Sequence, residues 1–345
     1  MKTIGLVVIG RNEGDRLIRG LQSVLSQFER SDYIPIIYVD SGSTDGSVEA
    51  AHQLGVQVLE LDMSLPFTMA RGRNTGFKYL QTHFPEVEFV QFMDGDCELV
   101  AGWLRRAIAV LTDDPQLAIV CGRRREQFPE ASVYNRLADM EWNTPIGEAS
   151  ACGGDALMRV SAIAQVQGYN PSLICGEEPE MCLRLRRLGW KIQRIDADMT
   201  RHDAAMQRFS QWWMRSIRGG WFVAEGRNLY GAAPERYLVN EWRSGWFWGL
   251  LIPGSALMLA GVTQGLSLSL LLGYGVLANK IYRDRRRQGD SSAQAWLYAR
   301  FCTLSKLPQM IGQLKYAWMR WRGQTAQLIE YKQPNPPKFN GAISD

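Results

Sequence analysis

The chain has 345 residues, of which 46% are hydrophobic and 21% are charged, and its formal net charge at pH 7 is +4. This length accommodates one large or two ordinary domains with a substantial core. The small net charge, and a first half without a basic stripe interleaved with aromatic residues, argue against a nucleic-acid-binding protein. Six cysteines with no C-x-x-C pair and no zinc spacing are predicted to be core thiols in a reducing compartment.

Short apolar runs alternate with segments of helical periodicity along the first hundred residues. Strands are predicted at 3–9, 34–39, 56–61 and 87–93, and helices at 15–28, 47–54 and 67–82. This alternation predicts an α/β domain with a mostly parallel sheet and helices on both of its faces. A further helix at 104–111 and strands at 118–121 and 190–195 extend the same domain.

Three of the predicted strands end in polar clusters, which are Gly10–Glu13, Asp40–Gly46 and Asp94–Asp96. Parallel strands place their carboxyl ends at one edge of the sheet, where ligands of open α/β sheets bind. Mg²⁺ and Mn²⁺ prefer oxygen ligands, and Mg²⁺ is commonly held by one or two carboxylates together with substrate phosphates. The clusters therefore indicate a metal–diphosphate site, whereas an acidic, solvated turn is the simpler interpretation of the D-G-D segment alone.

The other polar residues of these segments have simpler interpretations too. Asp45 fits a role in turn formation and helix capping well, and Asp40 fits such a role less well. Arg71 and Arg73, inside the helix predicted at 67–82, either bind phosphate or a carboxylate in fork geometry or are solvated. Three consecutive arginines, 123 to 125, lie in a predicted loop at 122–129 and are interpreted as a solvated charge run.

Taken in order, four segments resemble the nucleotide-sugar half of family 2 glycosyltransferases, which have the GT-A fold. They are V-V-I-G-R-N-E, V-D-S-G-S-T-D-G-S, A-R-G-R-N-T-G and Q-F-M-D-G-D. Ile9 stands where the family often has proline, and Arg73 matches the arginine of the family's A-R-N-x-G segment. The resemblance implies a nucleoside pocket lined by Ile9, Arg11, Glu13 and Asp40, with Asp94 facing the ribose. It also implies that Asp96 binds a Mn²⁺ or Mg²⁺ ion that bridges the diphosphate.

Two later segments resemble the acceptor side of the same family. Residues 151–159 resemble its G-G-x-x-x-x-R loop and include Gly154 and Asp155, and residues 175–186 resemble its G-E-D-x-D-L-x-x-R-L element. The family's catalytic aspartate aligns with Glu178, and glutamate also serves as a general base. Glu177 stays open as the base or as an acceptor contact.

A helix start is the simpler interpretation of this acidic segment. Carboxylates near a helix N-terminus are favoured by the helix dipole, so Glu178 is expected to be ionised at neutral pH. His202 falls where many family members have a histidine near the metal, and it is predicted to bind the metal or a phosphate; the alternative is a structural hydrogen bond.

The composition changes after His202. Aromatic residues and arginines alternate over 205–229, which predicts an interfacial helix. The Q-x-x-R-W motif of processive family members is missing there. Residues 246–277 are uncharged, lie between basic flanks and contain a possible turn at 263–265, which favours an even number of membrane crossings or a re-entrant hairpin. A buried helical pair is the alternative. An amphipathic helix is predicted at 293–321 and a mobile tail at 334–345.

These features predict a catalytic domain over 1–235, on the cytoplasmic side of the inner (plasma) membrane, and a membrane-associated helical region over 236–345. The expected reaction is transfer of a sugar from a nucleotide diphosphate sugar, of UDP or GDP type, to a hydroxyl of a glycan or lipid-linked glycan, with inversion. The expected context is polysaccharide or glycolipid assembly. Two alternatives stay open: a polyprenyl-phosphate sugar synthase and a non-catalytic, nucleotide-binding membrane scaffold. A Rossmann dehydrogenase is disfavoured because G-x-G-x-x-G does not follow the first strand.

Overall fold

The computed structural model describes residues 3–28 and 34–324, which fall into two compact units. Among the described residues, the first unit ends at Ala205 and the second begins at Met206. The tail predicted at 334–345 lies outside the described residues. This boundary between the compact units falls about one helix before residue 235. The predicted limit of the catalytic domain at residue 235 stays a prediction.

The first unit is an α/β domain. Its strands are β1 (Ile4–Gly10), β2 (Ile36–Asp40), β3 (Gln57–Glu60), β4 (Phe89–Asp94), β5 (Cys97–Leu99), β6 (Leu117–Glu126), β7 (Gly147–Glu148), β8 (Ala156–Arg159) and β9 (Lys191–His202). Its helices are α1 (Asp15–Leu25), α2 (Ser47–Gln53), α3 (Met69–His83), α4 (Trp103–Asp113), α5 (Val133–Glu141), α6 (Val160–Gln165) and α7 (Glu177–Arg187).

All nine strands form one mixed sheet. The order is β3-β2-β1-β4-β8-β6-β9-β5, and β7 also pairs with β9. The four strands from β3 to β4 are parallel, as are β6 and β9, but β8 runs antiparallel to both β4 and β6, as β5 and β7 do to β9. The prediction of a mostly parallel sheet is therefore wrong for its second half.

Three strands were not predicted, namely β5, β7 and β8, and the one that reverses direction at the centre of the sheet is β8. β8 lies in a segment predicted to be a loop. It has only four residues, and its first three are buried, so its sequence shows no alternation of apolar and polar side chains. By contrast, β1 is a seven-residue run whose first six residues are buried, as expected for a strand covered on both faces.

The second unit is helical. Its elements are α8 (Phe209–Tyr230), α9 (Val239–Trp246), a π-helical segment (Phe247–Leu251), α10 (Ile252–Met258), a 3₁₀ segment (Leu266–Leu272), α11 (Gly273–Arg287), α12 (Ser292–Leu304) and α13 (Lys306–Trp321). The amphipathic helix predicted at 293–321 is thus two helices that meet at Ser305.

Close helix packing covers much of the aromatic face of α8. The ring centroids of Trp212 and Phe301 lie 5.0 Å apart in an edge-on arrangement, and those of Trp221 and Tyr316 lie 5.3 Å apart. A Cβ on Gly220 would lie 1.9 Å from the carbonyl oxygen of Gln309, so only glycine allows this approach of α8 and α13. Trp212 and Trp221, two of the aromatic residues that suggested an interfacial helix, are therefore buried in helix–helix contacts, and the interfacial role of the helix stays a prediction.

Among residues 3–28 and 34–324, no helix is both long and apolar enough to cross a membrane. The uncharged stretch 246–277 does form a hairpin, and its turn includes Gln264 and Gly265, both at positive φ, as predicted. However, π-helical, α-helical and 3₁₀ segments divide its limbs. The prediction of C-terminal transmembrane helices is therefore not supported.

Candidate active site

The loops after β1 and β2 are tied together at the carboxyl edge of the sheet. The backbone amide of Asn12 donates to Ser43 Oγ at 2.9 Å, and the amide of Thr44 donates to Asn12 Oδ1 at 2.8 Å. Asp40 is buried, and its Oδ2 accepts the backbone amides of Gly42 and Ser43 at 2.8 and 2.7 Å. Asp40 thus organises its own turn, and its predicted contact with a nucleoside stays a prediction.

The remaining residues predicted for the nucleoside pocket lie beside this edge. Ile9 is buried at the end of β1, whereas the guanidinium carbon of exposed Arg11 lies 4.6 Å from the centre of the Phe67 ring. Glu13 pairs with Arg16 Nη2 at 2.8 Å. Arg11 and Phe67 together form a charged and aromatic surface next to the strand ends.

Asp94, the last residue of β4, lies between two arginines. Its Oδ1 accepts Arg73 Nη2 at 2.7 Å and its Oδ2 accepts Arg124 Nη2 at 3.0 Å. Burial alone would raise the pKa of Asp94, but the charges of Arg73 and Arg124 outweigh it and hold that pKa below its usual value. Asp94 is therefore a carboxylate held in a fixed orientation.

Arg73 connects Asp94 to the start of α7. It is only 2% exposed, and its Nη1 lies 2.8 Å from Glu177 Oε1 and 3.0 Å from Glu178 Oε1. Burial disfavours its charge, yet these carboxylates raise the pKa of Arg73 well above its usual value. Thr68 caps the helix that carries Arg73, accepting the amide of Arg71 at 3.2 Å. Arg73 thus uses its fork on carboxylates, and its predicted donor contact stays a prediction.

Glu178 and Glu177 differ in exposure and in their use within the fold. The Glu177 side chain is 2% exposed, whereas that of Glu178 is 14% exposed. Burial and then the charge of Glu177 raise the pKa of Glu178 to about 7, even though Arg73 lowers it. Glu178 is therefore expected to be only partly ionised at neutral pH, which differs from the prediction based on the helix dipole. A carboxyl with a pKa near the working pH is well matched to proton transfer.

Asp155 lies beneath the strand ends and is fully buried. Its Oδ1 accepts the amide of Asp94 at 3.0 Å, while its Oδ2 accepts Arg124 Nε at 2.9 Å and the hydroxyl of Thr200 at 2.7 Å. These bonds are typical of a residue that holds its neighbours in place. A direct contact of Asp155 with an acceptor stays a prediction.

Arg124 is the main site residue that the sequence interpretation missed. Of the three arginines interpreted as a solvated run, only Arg125 is exposed; Arg123 is buried and pairs with Asp139 at 3.0 Å. β6 extends five residues beyond its predicted end, which brings Arg124 between Asp94 and Asp155. Pairing of β6 with β9 determines this placement, and the charge pattern alone carries no sign of it.

Asp96 and His202 lie together because β5 pairs with the end of β9. Cys97 is the register partner of His202, and this places Asp96 Oδ2 at 3.3 Å from His202 Nε2. His202 Nδ1 lies 3.8 Å from Glu126 Oε2 on its other side. A carboxylate and an imidazole form a donor set that Mn²⁺ accepts, so these residues fit the metal predicted at Asp96 and His202.

A second group of possible ligands, Asp94, Cys97 and Asp155, fits a metal less well. Cys97 belongs both to this group and to the group of Asp96, Cys97 and His202, so its thiol does not distinguish the two. The guanidinium group of Arg124 already pairs with Asp94 and Asp155. The Asp96–His202 pair is therefore the better cation site among the described residues.

Trp142 covers the same part of the site and was also missed. Its ring centre lies 4.7 Å from that of His202 and 5.5 Å from the guanidinium carbon of Arg124. The residue follows the last turn of α5 and is half-buried. An aromatic side chain at a helix end has no distinctive sequence signal, so only the fold identifies it.

Gly154 lies against the ion pair of Arg73 and Asp94. A Cβ at this position would be 2.6 Å from Arg73 Nη2 and 2.7 Å from Asp94 Oδ2. Gly154→Ala is therefore expected to displace the pair, to lower the free energy of unfolding by about 1–3 kcal/mol and to reduce turnover. Denaturant unfolding and a transfer assay measure the two effects.

Gly153→Ala is the matched control, because a Cβ there meets no atom within 4 Å. It should leave stability and turnover close to those of the native protein. If the two alanine variants have the same stability and the same turnover, the close packing of Gly154 on the ion pair does not matter for function.

Known proteins resemble this chain in sequence and in fold. Residues 6–163 match the family model described as glycosyl transferase family 2. A glycosyltransferase named AglE, from Haloferax volcanii, is 21% identical over 197 residues, which are 55% of this chain and 63% of AglE. The chain thus spans less than two thirds of that relative.

A solved structure has a similar fold. It is the mannosyltransferase PcManGT from Pyrobaculum calidifontis in complex with GDP-Man and Mn²⁺, with a TM-score of 0.62 and 17% sequence identity. The match covers 91% of this chain and 87% of PcManGT. Such a likeness identifies the fold, and the family model identifies the segment that carries the strand-end motifs. Residues 6–163 thus match glycosyltransferase family 2, and the chain has the GT-A α/β fold.

Proposed function

We propose that this protein is an inverting glycosyltransferase that moves a sugar from a nucleotide diphosphate sugar to an acceptor hydroxyl, with Glu178 as the general base. The observation that carries the proposal is the placement of Glu178. Its partly exposed carboxylate has a pKa of about 7 and is held by Arg73, which also holds Asp94 of the D-G-D segment. The base is thereby fixed relative to the expected diphosphate site.

In this mechanism the chain orients both reactants. Glu178 accepts the proton of the acceptor hydroxyl as it attacks the sugar carbon from the face opposite the diphosphate, which inverts the configuration. The Asp94–Arg73 contact fixes the base, and Arg124 and Asp155 fix Asp94. Holding reacting groups in register supplies much of the rate enhancement of such enzymes.

Asp96 and His202 would hold the divalent cation, Mn²⁺ or Mg²⁺. When bound, this ion acts as a Lewis acid that offsets the charge developing on the leaving diphosphate. Five carboxylates at the site (Asp94, Asp96, Asp155, Glu177 and Glu178) face two guanidinium groups (Arg73 and Arg124), and this excess of negative charge favours a cation. The complex of PcManGT with Mn²⁺ supports the same assignment.

The donor is proposed to be of UDP or GDP type; the GDP-Man of the PcManGT complex favours GDP. Arg11, Glu13 and Asp40 are proposed to line the nucleoside pocket, and Gly154 and Glu177 to lie on the acceptor side. We place the enzyme at the cytoplasmic face of the inner membrane, where a glycan or lipid-linked glycan would be its acceptor in polysaccharide or glycolipid assembly. The uncharged hairpin at 246–277 supports the membrane context.

A panel of nucleotide sugars tests the donor class by thermal shift, with and without Mn²⁺. One nucleotide diphosphate sugar should raise the melting temperature by about 2–4 °C for each kcal/mol of added stability, the shift typical of a domain of roughly 150–250 residues, and Mn²⁺ should increase the shift. Nucleotide monophosphates and free sugars are the controls. If no UDP or GDP sugar shifts the transition in either condition, the proposed donor site is wrong.

A further inference from the structure

The hairpin of the second unit ends in an exposed apolar surface, here called the hairpin tip (residues 256–272). Side chains along and beside it are largely exposed: Leu257 68%, Met258 81%, Val262 85%, Leu266 75%, Leu272 75% and Val276 72%. Among the described residues of the tip, only Ala256 and Ser267 are buried. Contiguous apolar surface of this kind marks a site of contact with a protein or a membrane.

The hydroxyl groups of the tip are satisfied inside the hairpin. Thr263 Oγ1 donates to the carbonyl of Leu259 at 2.8 Å, and Ser269 Oγ donates to that of Leu266 at 2.7 Å. Ser267 Oγ donates across the hairpin to the carbonyl of Ala256 at 2.7 Å. Internal bonding is what hydrocarbon requires of polar groups, because lipid chains offer them no partner.

The base of the hairpin is packed and aromatic. A Cβ on Gly249 would lie 2.5 Å from the carbonyl oxygen of Lys306, so the first limb is seated tightly on α13. The rings of Trp248 and Tyr274, one from each limb, have centroids 5.5 Å apart. Trp and Tyr are favoured at the membrane–water boundary, and these two lie where the limbs leave the packed helices.

The length of the limbs matches one leaflet. Ten residues separate Trp248 from Met258, which at 1.5 Å per residue is about 15 Å, or half of the roughly 30 Å hydrocarbon core. A hairpin of this length reaches the middle of a bilayer and returns. This length accounts for both the uncharged stretch and the finding that no described helix is long and apolar enough to span.

The charges around the hairpin point to an anionic lipid surface. Residues 244–279 carry no charge, and the sequence then continues with Lys280, Arg283, Arg285, Arg286 and Arg287, against a single acid, Asp284, in that segment. The Arg287 side chain is 80% exposed. A basic cluster beside an apolar insert complements anionic headgroups.

We propose that the hairpin tip inserts into one leaflet of an anionic bilayer and anchors the protein without crossing it. The proposal deepens the membrane association proposed above and does not depend on the catalytic mechanism. Apolar side chains of the tip enter the acyl chains, Trp248 and Tyr274 lie at the headgroup level, and the basic cluster of α11 binds the headgroups.

Flotation of the full-length protein with phosphatidylcholine vesicles, with and without phosphatidylglycerol, tests this. The double variant Val262→Asp with Leu266→Asp should lower the partition coefficient at least about tenfold. The control pair Ile146→Asp with Leu188→Asp replaces side chains that are each 58% exposed in the first unit, and it should bind like the native protein. Arg286→Glu with Arg287→Glu should weaken binding to anionic vesicles only.

Several outcomes would overturn the proposal. The proposal is wrong if the tip variant partitions onto vesicles as the native protein does. If light scattering then shows that this variant converts an oligomer into monomers, the tip is a contact between copies of this chain. Circular dichroism confirms that each variant is folded. The donor-induced thermal shift is measured on the same samples, so failure of the donor site and failure of the anchor give different results.

The depth of the hairpin tip in the bilayer distinguishes insertion into one leaflet from a full crossing. A bimane group attached through Val262→Cys, in a Cys302→Ser background, should be quenched by lipids brominated deep in the acyl chains and not by iodide trapped inside the vesicles. The five other cysteines are buried and should stay unlabelled. Quenching by the trapped iodide would show that the tip reaches the far side.

Discussion

The variant Glu178→Gln is expected to turn over about 10²–10⁴-fold more slowly than the native protein while binding its donor with nearly unchanged affinity. Glutamine keeps the size of the side chain and its contact with Arg73 but cannot accept the acceptor's proton. Steady-state turnover and donor affinity, measured on the same preparation, give the two quantities.

The pH dependence of turnover gives a second signature of this base. A carboxyl whose pKa is raised to about 7 is mostly protonated at pH 6, so turnover of the native protein should fall about tenfold per unit below pH 7 and level off above it. In Glu178→Gln the inflection near pH 7 should disappear.

Glu177→Gln is the matched control, because Glu177 shares the same Arg73 nitrogen but its side chain is only 2% exposed. Glu177→Gln should reduce turnover less than Glu178→Gln does. If Glu177→Gln abolishes transfer while Glu178→Gln remains near normal, the base is Glu177. If neither variant matters, the acidic segment is only a helix start and the proposed mechanism is wrong.

Asp96→Asn should remove most of the metal-dependent binding of a nucleoside diphosphate and leave the fold intact. The amide has no negative charge, and losing a direct ligand should cost at least the 10–100-fold in affinity that loss of a ligand's hydrogen-bond partner costs. Calorimetric titration of the diphosphate with and without Mn²⁺ measures the effect.

Glu98→Gln is a suitable control for Asp96→Asn. Glu98 lies two residues away on β5 and pairs with Arg19 at 3.0 Å, outside the Asp96–His202 pair. It should keep metal-dependent affinity within about a factor of two, as expected for loss of a surface ion pair. Unchanged metal dependence in Asp96→Asn would contradict the metal assignment.

Patterns that depend on local sequence predicted six of the nine strands and the edge of the sheet where the site lies. β1, β2 and β4 are apolar runs ending in polar loops, and the fold brings those loops together as parallel topology requires. The alignment of Glu178 with the family's catalytic aspartate was also visible in the sequence. The position of Glu178 next to Arg73 could be found only from the fold.

Features that depend on long-range pairing escaped prediction. Arg124 reaches Asp94 only because β6 continues beside β9 across several register shifts, and three neighbouring arginines look the same in sequence. Asp155 was expected near the acceptor because its segment resembles the family's acceptor-side loop. Its burial and its bond to the amide of Asp94 could not be predicted from the sequence, and its contact with an acceptor stays a prediction. In the second unit, the turn at 263–265 was predicted from the sequence, but the division of the hairpin limbs into π-helical, α-helical and 3₁₀ segments was not.

In the proposed mechanism, Glu178 directs the acceptor to the face of the sugar opposite the diphosphate. The anomeric configuration of the product tests it most directly, and the one-bond C1–H1 coupling in NMR reports that configuration for any hexose. We expect a product whose configuration is inverted relative to the donor. A product that retains the donor's configuration would contradict it.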